Sequence, residues 1–404
     1  MAVRSTIREH VRVQAMAEVG VTQKGLRRVL AGHPWIFASD LSALPGTPDA
    51  PGVVTAFGPQ GERLGEGFFN PRSKLALRLV TKGDAAVTPE LIRERTFRAA
   101  AYREWAAAGF EAFRVVHSEA DGLPGLTIDK YGDYLVVQQH AAALEHFTAD
   151  IVAALTEAYA PKGILARNDN PVRALEALPR EVVVLAGNVP EHVSFTEGEV
   201  TLVAAPYTGQ KTGAFLDQRE NHVYAGSLAR GRALDVCSYH GGFALQLARA
   251  ADETTAVDSS APALAQLGRS AAENNLSLKA VRGDAFAVLR ALAAAGERFD
   301  TVVLDPPAFA KGRAQVAGAL TGYRDLNLHA LRLLGMGGRL LTASCSHRVS
   351  EAAFVEMLTG AAHDAGRQVR VLAKRGAALC HPALLSLPET RYLTFVGLEV
   401  SALL

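Results

Sequence analysis

The chain has 404 residues, too many for one ordinary hydrophobic core, so two or three domains are expected. Hydrophobic residues make up 49% and charged residues 21%, the balance of a globular protein, and no apolar run reaches the roughly 18 residues that a membrane span needs. The net charge of +1 is uneven: residues 1–82 hold 11 Lys/Arg against 6 Asp/Glu, residues 83–200 hold 10 against 18, and residues 201–404 hold 21 against 17.

Basic ends around an acidic middle suit contact with phosphates, although such imbalance is equally common on plain solvated surface. The opening stretch "MAVRSTIREHVRVQAM" carries charges throughout and no apolar core, so a secretory signal is not expected and a cytoplasmic location is. Three cysteines at 237, 345 and 380, odd in number and far apart, argue against a disulfide framework and a zinc site; no metal is expected.

Over residues 1–82, short strands ("WIFASDL", "GVVTAF", "RLGEGFFN", "LALRLV") are separated by Gly/Pro turns, which predicts a small β-barrel or sandwich. A helix is expected over "PELIRERTFRAAAYREWAAAG", with Pro89 near its start and Gly109 after its end. Strand-like and helical stretches then alternate to about 200, predicting a middle α+β domain over 83–200. From 201 the pattern is an α/β one. Seven apolar strands, "RALDVCS", "TTAVDSS", "KAVRGD", "FDTVVLD", "RLLTASC", "QVRVLAK" and "RYLTFVGLEV", are expected, with helices between the first six. That alternation predicts an open, mostly parallel, doubly wound sheet whose last strand is free to run antiparallel.

In such sheets ligands bind beyond the carboxyl ends of the strands. Asp235 lies in the first strand, and Asp258, Asp284 and Asp305 end the second, third and fourth. Any one of these acids is ordinarily a helix cap or a solvated strand end. Four in register over consecutive strands point to a nucleoside ligand. "SYHGGF" lacks the G-x-G-x-x-G glycines that cradle a pyrophosphate, which disfavours a dehydrogenase and favours S-adenosylmethionine. Gly241 and Gly242 are expected to let the backbone approach that ligand.

These stretches resemble a known family. "GHPWIFASDL" with "LGEGFFNPRSKLALRLV", "EADGLPGLTIDKYGD", "GQKTGAFLDQREN", "SYHGGFAL", "DPPAFAK" and "TASCSH" are similar to the bacterial large-subunit ribosomal RNA 5-methylcytosine methyltransferases with an N-terminal PUA domain. The resemblance spans nearly the whole chain. It implies a PUA-like RNA-binding domain over 1–82, a Rossmann-like seven-stranded methyltransferase domain over 201–404, and large-subunit (23S) ribosomal RNA as partner, naked or partly assembled. A homodimer is left open. It further implies that Asp258 with Ser259 holds the cofactor ribose, Asp284 with Ala285 the adenine, and Asp235, Ser238 and Gly241 the methionine side. Asp217 and Gln218 would close over the cofactor, while Lys211 and Arg219 would meet either its carboxylate or an RNA phosphate. Arg27, Arg28 and His33, with Arg4, Arg8 and Arg12, would grip RNA.

Carbon 5 of cytosine is too weak a nucleophile to take a methyl group unaided. A thiolate adding to carbon 6 converts the ring into an enamine-like nucleophile, and an acid at the ring nitrogen offsets the developing charge. Neighbouring fourth and fifth strands would bring Asp305 and Cys345 to one edge, so Cys345 is the expected nucleophile and Asp305 the acid. Pro306 and Pro307 would stiffen the turn holding the acid. Phe309 would stack on the base or merely pack locally. Cys237 and Cys380 are expected to be core or pocket-lining. Some related cytosine methyltransferases carry a second cysteine beside the motif-four proline; "LDPPAF" has none, which leaves the base for the carbon 5 proton open. The competing expectations are methylation of a purine amine or ring nitrogen, which needs no thiol, and a non-catalytic RNA-binding assembly factor.

Overall fold

The computed structural model describes residues 17–43, 46–310 and 312–402. Arg4, Arg8 and Arg12 lie outside them. Residues 18–79 build a six-stranded sheet in the spatial order Trp35–Ile36, Leu77–Leu79, Arg63–Phe69, Gly52–Phe57, Glu18–Val21, Leu41–Ser42. A helix that the strand pattern did not reveal, Gln23–Leu30, leads off from Thr22, whose Oγ1 accepts the Gly25 N–H at 3.3 Å. It spans only eight residues and buries only Gly25 and Leu26, too short a stretch for a helical period to stand out beside the strands.

The middle sheet has five strands, ordered Glu181–Gly187, Gly163–Asn168, Tyr134–Gln139, Leu126–Tyr131, Ala112–His117. Helices Pro89–Ala106 and Thr148–Tyr159 cover one face of it, burying Ile92, Ile151 and Leu155 against Val115, Ile128 and Val137. The first helix starts as the sequence predicts: Pro89 follows the Thr88 cap, which accepts the Leu91 N–H at 3.2 Å. A hairpin, Val193–Glu197 with Val200–Ala204, straddles the boundary expected at 200. Its Phe195 and Leu202 sit in one core with Tyr131 and Val136 of the middle sheet and Leu245, Ala256 and Leu267 of the C-terminal part.

The C-terminal sheet has seven strands: β1 (Arg232–Val236), β2 (Glu253–Asp258), β3 (Lys279–Arg282), β4 (Phe299–Leu304), β5 (Leu334–Ser344), β6 (Gln368–Arg375) and β7 (Thr394–Ser401). Their order is β3-β2-β1-β4-β5-β7-β6. The sheet is mixed, because β7 runs antiparallel to both of its neighbours. In central β4 every residue but Asp300 is buried, Val302, Val303 and Leu304 among them, as a strand covered on both faces requires. Leu289, Tyr323 and Phe354, from three helices, fill one side; Ala225, Phe243 and Leu267 fill the other.

Buried polar contacts tie the parts together. Glu176 of the middle part pairs with Arg78 at 3.0 Å and accepts from Asn70 at 2.9 Å, both from the first sheet region. Trp35 donates from Nε1 to Glu119 at 2.8 Å, and His33 lies 3.6 Å from Glu389 of the C-terminal part.

Candidate active site

The strand order reverses between β1 and β4, and at this switch point the carboxyl ends of β1 to β5 surround a cavity of about 580 Å³, the size class of small-molecule sites. After β1 the chain turns through Cys237, Tyr239 and Gly241 at φ of 67°, 47° and 94°. The N–H groups of Cys237 and Ser238 both reach Val257 O on β2, which pins this strained turn to the neighbouring strand. Across the mouth, residues 210–218 fold back: the Gln210 N–H donates to the Tyr239 hydroxyl at 2.7 Å, and Phe215 meets the Tyr239 ring edge-on at 5.0 Å.

Most of the anticipated residues line this cavity. Along one wall are Ser238, Asp258, Ser259, Asp284 and Ala285. Asp258 accepts the Tyr239 N–H at 2.9 Å and the Ser260 N–H at 2.8 Å, so it braces two loops at the cavity wall. Asp284 caps the next helix, accepting the Ala287 N–H at 3.0 Å. Opposite them stand Lys211, Asp217, Gln218, Asp305, Phe309 and Cys345.

Asp217 is held by the Lys211 ammonium at 2.6 Å and the Tyr392 hydroxyl at 2.6 Å. Burial opposes its ionisation, but the Lys211 charge wins and holds the carboxyl at about 2. Asp305 is pushed the other way, to about 6, by burial and by the Asp217 charge. Its Oδ1 accepts from Gln218 Nε2 at 3.0 Å; Gln218 in turn accepts from Asn221 at 2.7 Å, and Asn221 accepts from Arg375 at 2.8 Å. That chain fixes which way the Gln218 amide faces. Cys345 sits three residues beyond Thr342, the β5 partner of Leu304, and its Sγ contacts Pro306 O at 3.6 Å. Burial and the Asp305 carboxyl raise the thiol to about 12.

Three expectations about placement change. Asp235 is fully buried beneath the cavity and does not line it; burial and Asp305 raise its carboxyl to about 8. Gly241 is small for packing reasons, since a Cβ would lie 2.1 Å from Leu267 Cδ1, and it does not line the cavity; Gly242, where a Cβ would lie 2.4 Å from the His222 ring, does line it. Arg219 is fully buried away from it, donating to Ala106 O at 2.6 Å and stacking 4.2 Å over Phe110, so it faces neither cofactor nor solvent. In the first sheet region Arg27 is exposed, whereas Arg28 and Lys24 pair with buried Asp40 and His33 faces Glu389. Cys380 is buried beside His381, with its carbonyl accepting from Arg103 at 2.9 Å.

The cavity also holds residues that motif spacing did not single out. His222 donates or accepts at Nδ1 with Glu197 at 2.7 Å; burial disfavours its charge, but Glu197 outweighs burial and raises the ring above its ordinary value. His347 lines the exposed rim and lies over Tyr392, ring centroids 5.1 Å apart. Glu197 is 25 residues from His222, and no sequence pattern ties a hairpin glutamate to that ring. His347 was visible as the last letter of "TASCSH". Among the described residues no cluster of three or more metal-ligating side chains occurs, and no helix is long and apolar enough to cross a membrane.

The wall fits a nucleoside with an amino-acid tail: carboxylates end β2 and follow β3, and Ser238 Oγ and Asp217 Oδ1 are buried without a partner among the described residues. Comparison with known proteins agrees. A PUA-like domain family matches residues 19–82, and the family described as Conserved hypothetical protein 95 matches residues 215–331. The ribosomal RNA large subunit methyltransferase I of Tolumonas auensis is 37% identical over 387 residues, covering 93% of this chain and 97% of its own. That of Serratia proteamaculans is 34% identical over 376 residues, covering 91% and 95%. Among solved structures, a putative SAM-dependent methyltransferase from Streptococcus mutans aligns with a TM-score of 0.80 at 19% identity, covering 95% of this chain and all of that one (100%). A putative methyltransferase complexed with SAH gives 0.81 at 20% identity with the same coverage. The structural matches establish an α/β methyltransferase fold behind an N-terminal PUA-like domain, and the sequence relatives establish kinship. This chain belongs to the ribosomal RNA large subunit methyltransferase I family.

Proposed function

We propose that this chain forms 5-methylcytosine in large-subunit ribosomal RNA, with Cys345 adding to carbon 6 of the target base and Asp305 serving its ring nitrogen. The observation that carries this reading is the meeting of the two groups in one cavity, at the ends of neighbouring parallel strands. Methylation of an exocyclic amine uses the acid and the backbone of the proline turn and gives a thiol nothing to do.

The methyl donor is S-adenosylmethionine, which when bound supplies an electrophilic methyl on a sulfonium. Around it, Asp258 and Ser259 would take the ribose hydroxyls, Asp284 and Ala285 the adenine edge, and Ser238 the amino-acid side. Lys211 and Asp217 close the opposite wall as a fixed ion pair. A thiol raised to about 12 must lose its proton before it can attack, and Lys211 already opposes that rise; any cation admitted to the cavity adds to its effect. Asp305 at about 6 is close enough to neutrality to share a proton with a ring nitrogen, and Gln218 holds its carboxyl in place. Phe309, packed 4.7 Å from Tyr323 and 6.0 Å from Phe286, offers a supported ring at the wall for the target base. Residues 1–82, with Arg27, Arg28 and His33, serve as the RNA grip, 83–200 as the connector and 201–404 as the methyl-transferring domain. The base enters flipped or from an open loop, at a cost of a few kcal/mol.

The test is transfer of labelled methyl from S-adenosylmethionine to unmodified bacterial ribosomal RNA, followed by digestion to nucleosides. Labelled 5-methylcytidine from wild type and none from Cys345→Ala is the expected result. Label on a purine, or unchanged methylation by the variant, would overturn the assignment.

A further inference from the structure

Forming 5-methylcytosine needs one group more than the pair above. After the methyl reaches carbon 5, the hydrogen on that carbon must leave as a proton. Its electron pair then re-forms the carbon 5–carbon 6 double bond and expels the Cys345 thiolate. We propose that His347 is the base that takes this proton. The proposal rests on the 5-methylcytosine reading.

Most of the remaining ionisable groups of the cavity wall are already engaged. His240 also lines it, with both ring nitrogens lacking a partner among the described residues, but it is buried and burial lowers its ring to about 3, too weak a base for this step. Asp217 is bound to Lys211 and Tyr392, each at 2.6 Å. Asp258 braces two backbone N–H groups, and Asp284 caps a helix. His222 is tied to Glu197 at 2.7 Å and carries charge more readily than a free imidazole, so it is a poor proton acceptor. Asp305 is bound by Gln218 at 3.0 Å and has its own task at the ring nitrogen.

His347 differs in place and in state. It is two residues beyond the nucleophile on the same strand end, lines the same cavity, and stands at the rim through which a base must enter. The Tyr392 ring backs the imidazole at 5.1 Å with a 33° tilt, and Tyr392 is itself anchored to Asp217. Glu389 lies close enough to the imidazole to pull its proton affinity upward. Burial and the neighbouring Arg348 and Lys211 favour the neutral ring, against the opposing pull of Glu389. A neutral imidazole on the cavity wall beside the nucleophile is the form a general base requires.

The balance is complete: the sulfonium loses its methyl to carbon 5 and becomes a neutral thioether, the proton passes to His347, and the thiolate departs from carbon 6. Removing the base therefore blocks release, not addition. In single-turnover reactions with methyl-labelled S-adenosylmethionine, His347→Gln should form the methylated protein–RNA adduct at close to the wild-type rate. Release of 5-methylcytidine should be roughly 100-fold slower or more, so that a denaturation-resistant labelled adduct accumulates. His347→Gly should behave likewise, and added imidazole should restore release. Release by His347→Gln at the wild-type rate, or failure to form the adduct while S-adenosylmethionine still binds, would overturn the role of His347. Label appearing on a purine in the wild-type reaction would instead remove the reading on which the proposal stands.

Discussion

Arg219 separates two accounts of the stretch "GQKTGAFLDQREN". Motif position puts this guanidinium at the cofactor or on an RNA phosphate, whereas the fold buries it against residues 106–112, more than a hundred positions earlier. Arg219→Met keeps the length of the stem and removes the charge. The substitution loses a short charge-assisted hydrogen bond to Ala106 O at 2.6 Å, worth about 1.5–3 kcal/mol. It also loses the stacking over Phe110 at 4.2 Å, about 2 kcal/mol where water is excluded. Part of this returns, because a buried charge no longer needs to be desolvated and methionine still packs. The net loss should be about 2–4 kcal/mol, which at 2–4 °C per kcal/mol for a unit of 150–250 residues lowers the melting transition by roughly 4–16 °C. Calorimetry reads that shift. The companion measurement is the slope of log K for RNA binding against log salt. It should stay put, since no phosphate contact is removed, whereas loss of one such contact lowers it by about 0.7–0.9. An unchanged melting temperature together with a shallower salt slope would refute the buried-tie account and return Arg219 to the RNA.

Asp305→Asn tests the strained acid. A carboxyl raised from 3.8 to about 6 contributes stability that is present below pH 4 and lost as pH rises through 6. The amide escapes that loss, so urea unfolding should find the variant about 2–3 kcal/mol more stable than wild type at pH 8 and equal to it near pH 4, while methyl transfer falls at least 100-fold. Gly241→Ala forces a Cβ to 2.1 Å from Leu267 Cδ1 at a φ of 94°, and should cost about 2–6 kcal/mol in urea unfolding, part of which Leu267→Ala restores. Glu197→Gln removes the charge that holds the His222 proton; the ring should then titrate below its ordinary value instead of above it, read by ¹H–¹⁵N spectra of the imidazole against pH.

What the sequence made legible, and what it concealed, divide along physical lines. The strands of the C-terminal sheet were readable because β4 and β1 are largely buried on both faces and therefore mostly apolar. Once strands and crossovers are known, their carboxyl ends fall on one edge, which is why Asp258, Asp284, Asp305 and Cys345 were found together. The direction in which a side chain leaves that edge is a different quantity. Asp235 sits one residue before the end of β1 and points into the protein; Cys237, one residue beyond it, lines the cavity. Strand alternation alone would put both on one face; the contrast arises because the backbone leaves the strand at Cys237, whose φ is 67°. The glycines mislead for a related reason. A glycine records that something comes close, and here Leu267 and His222 do so at Gly241 and Gly242, each brought in by its own helix. The helix Gln23–Leu30 and the contact of Glu197 with His222 left still less trace, the one because it buries two residues of eight and the other because its members lie on a hairpin and a helix with no shared period. Positions set by the backbone ladder were thus inferable from local pattern. Positions set by a partner distant in the chain were not, and Arg219, whose motif left its role open between cofactor and RNA, belongs to the second kind.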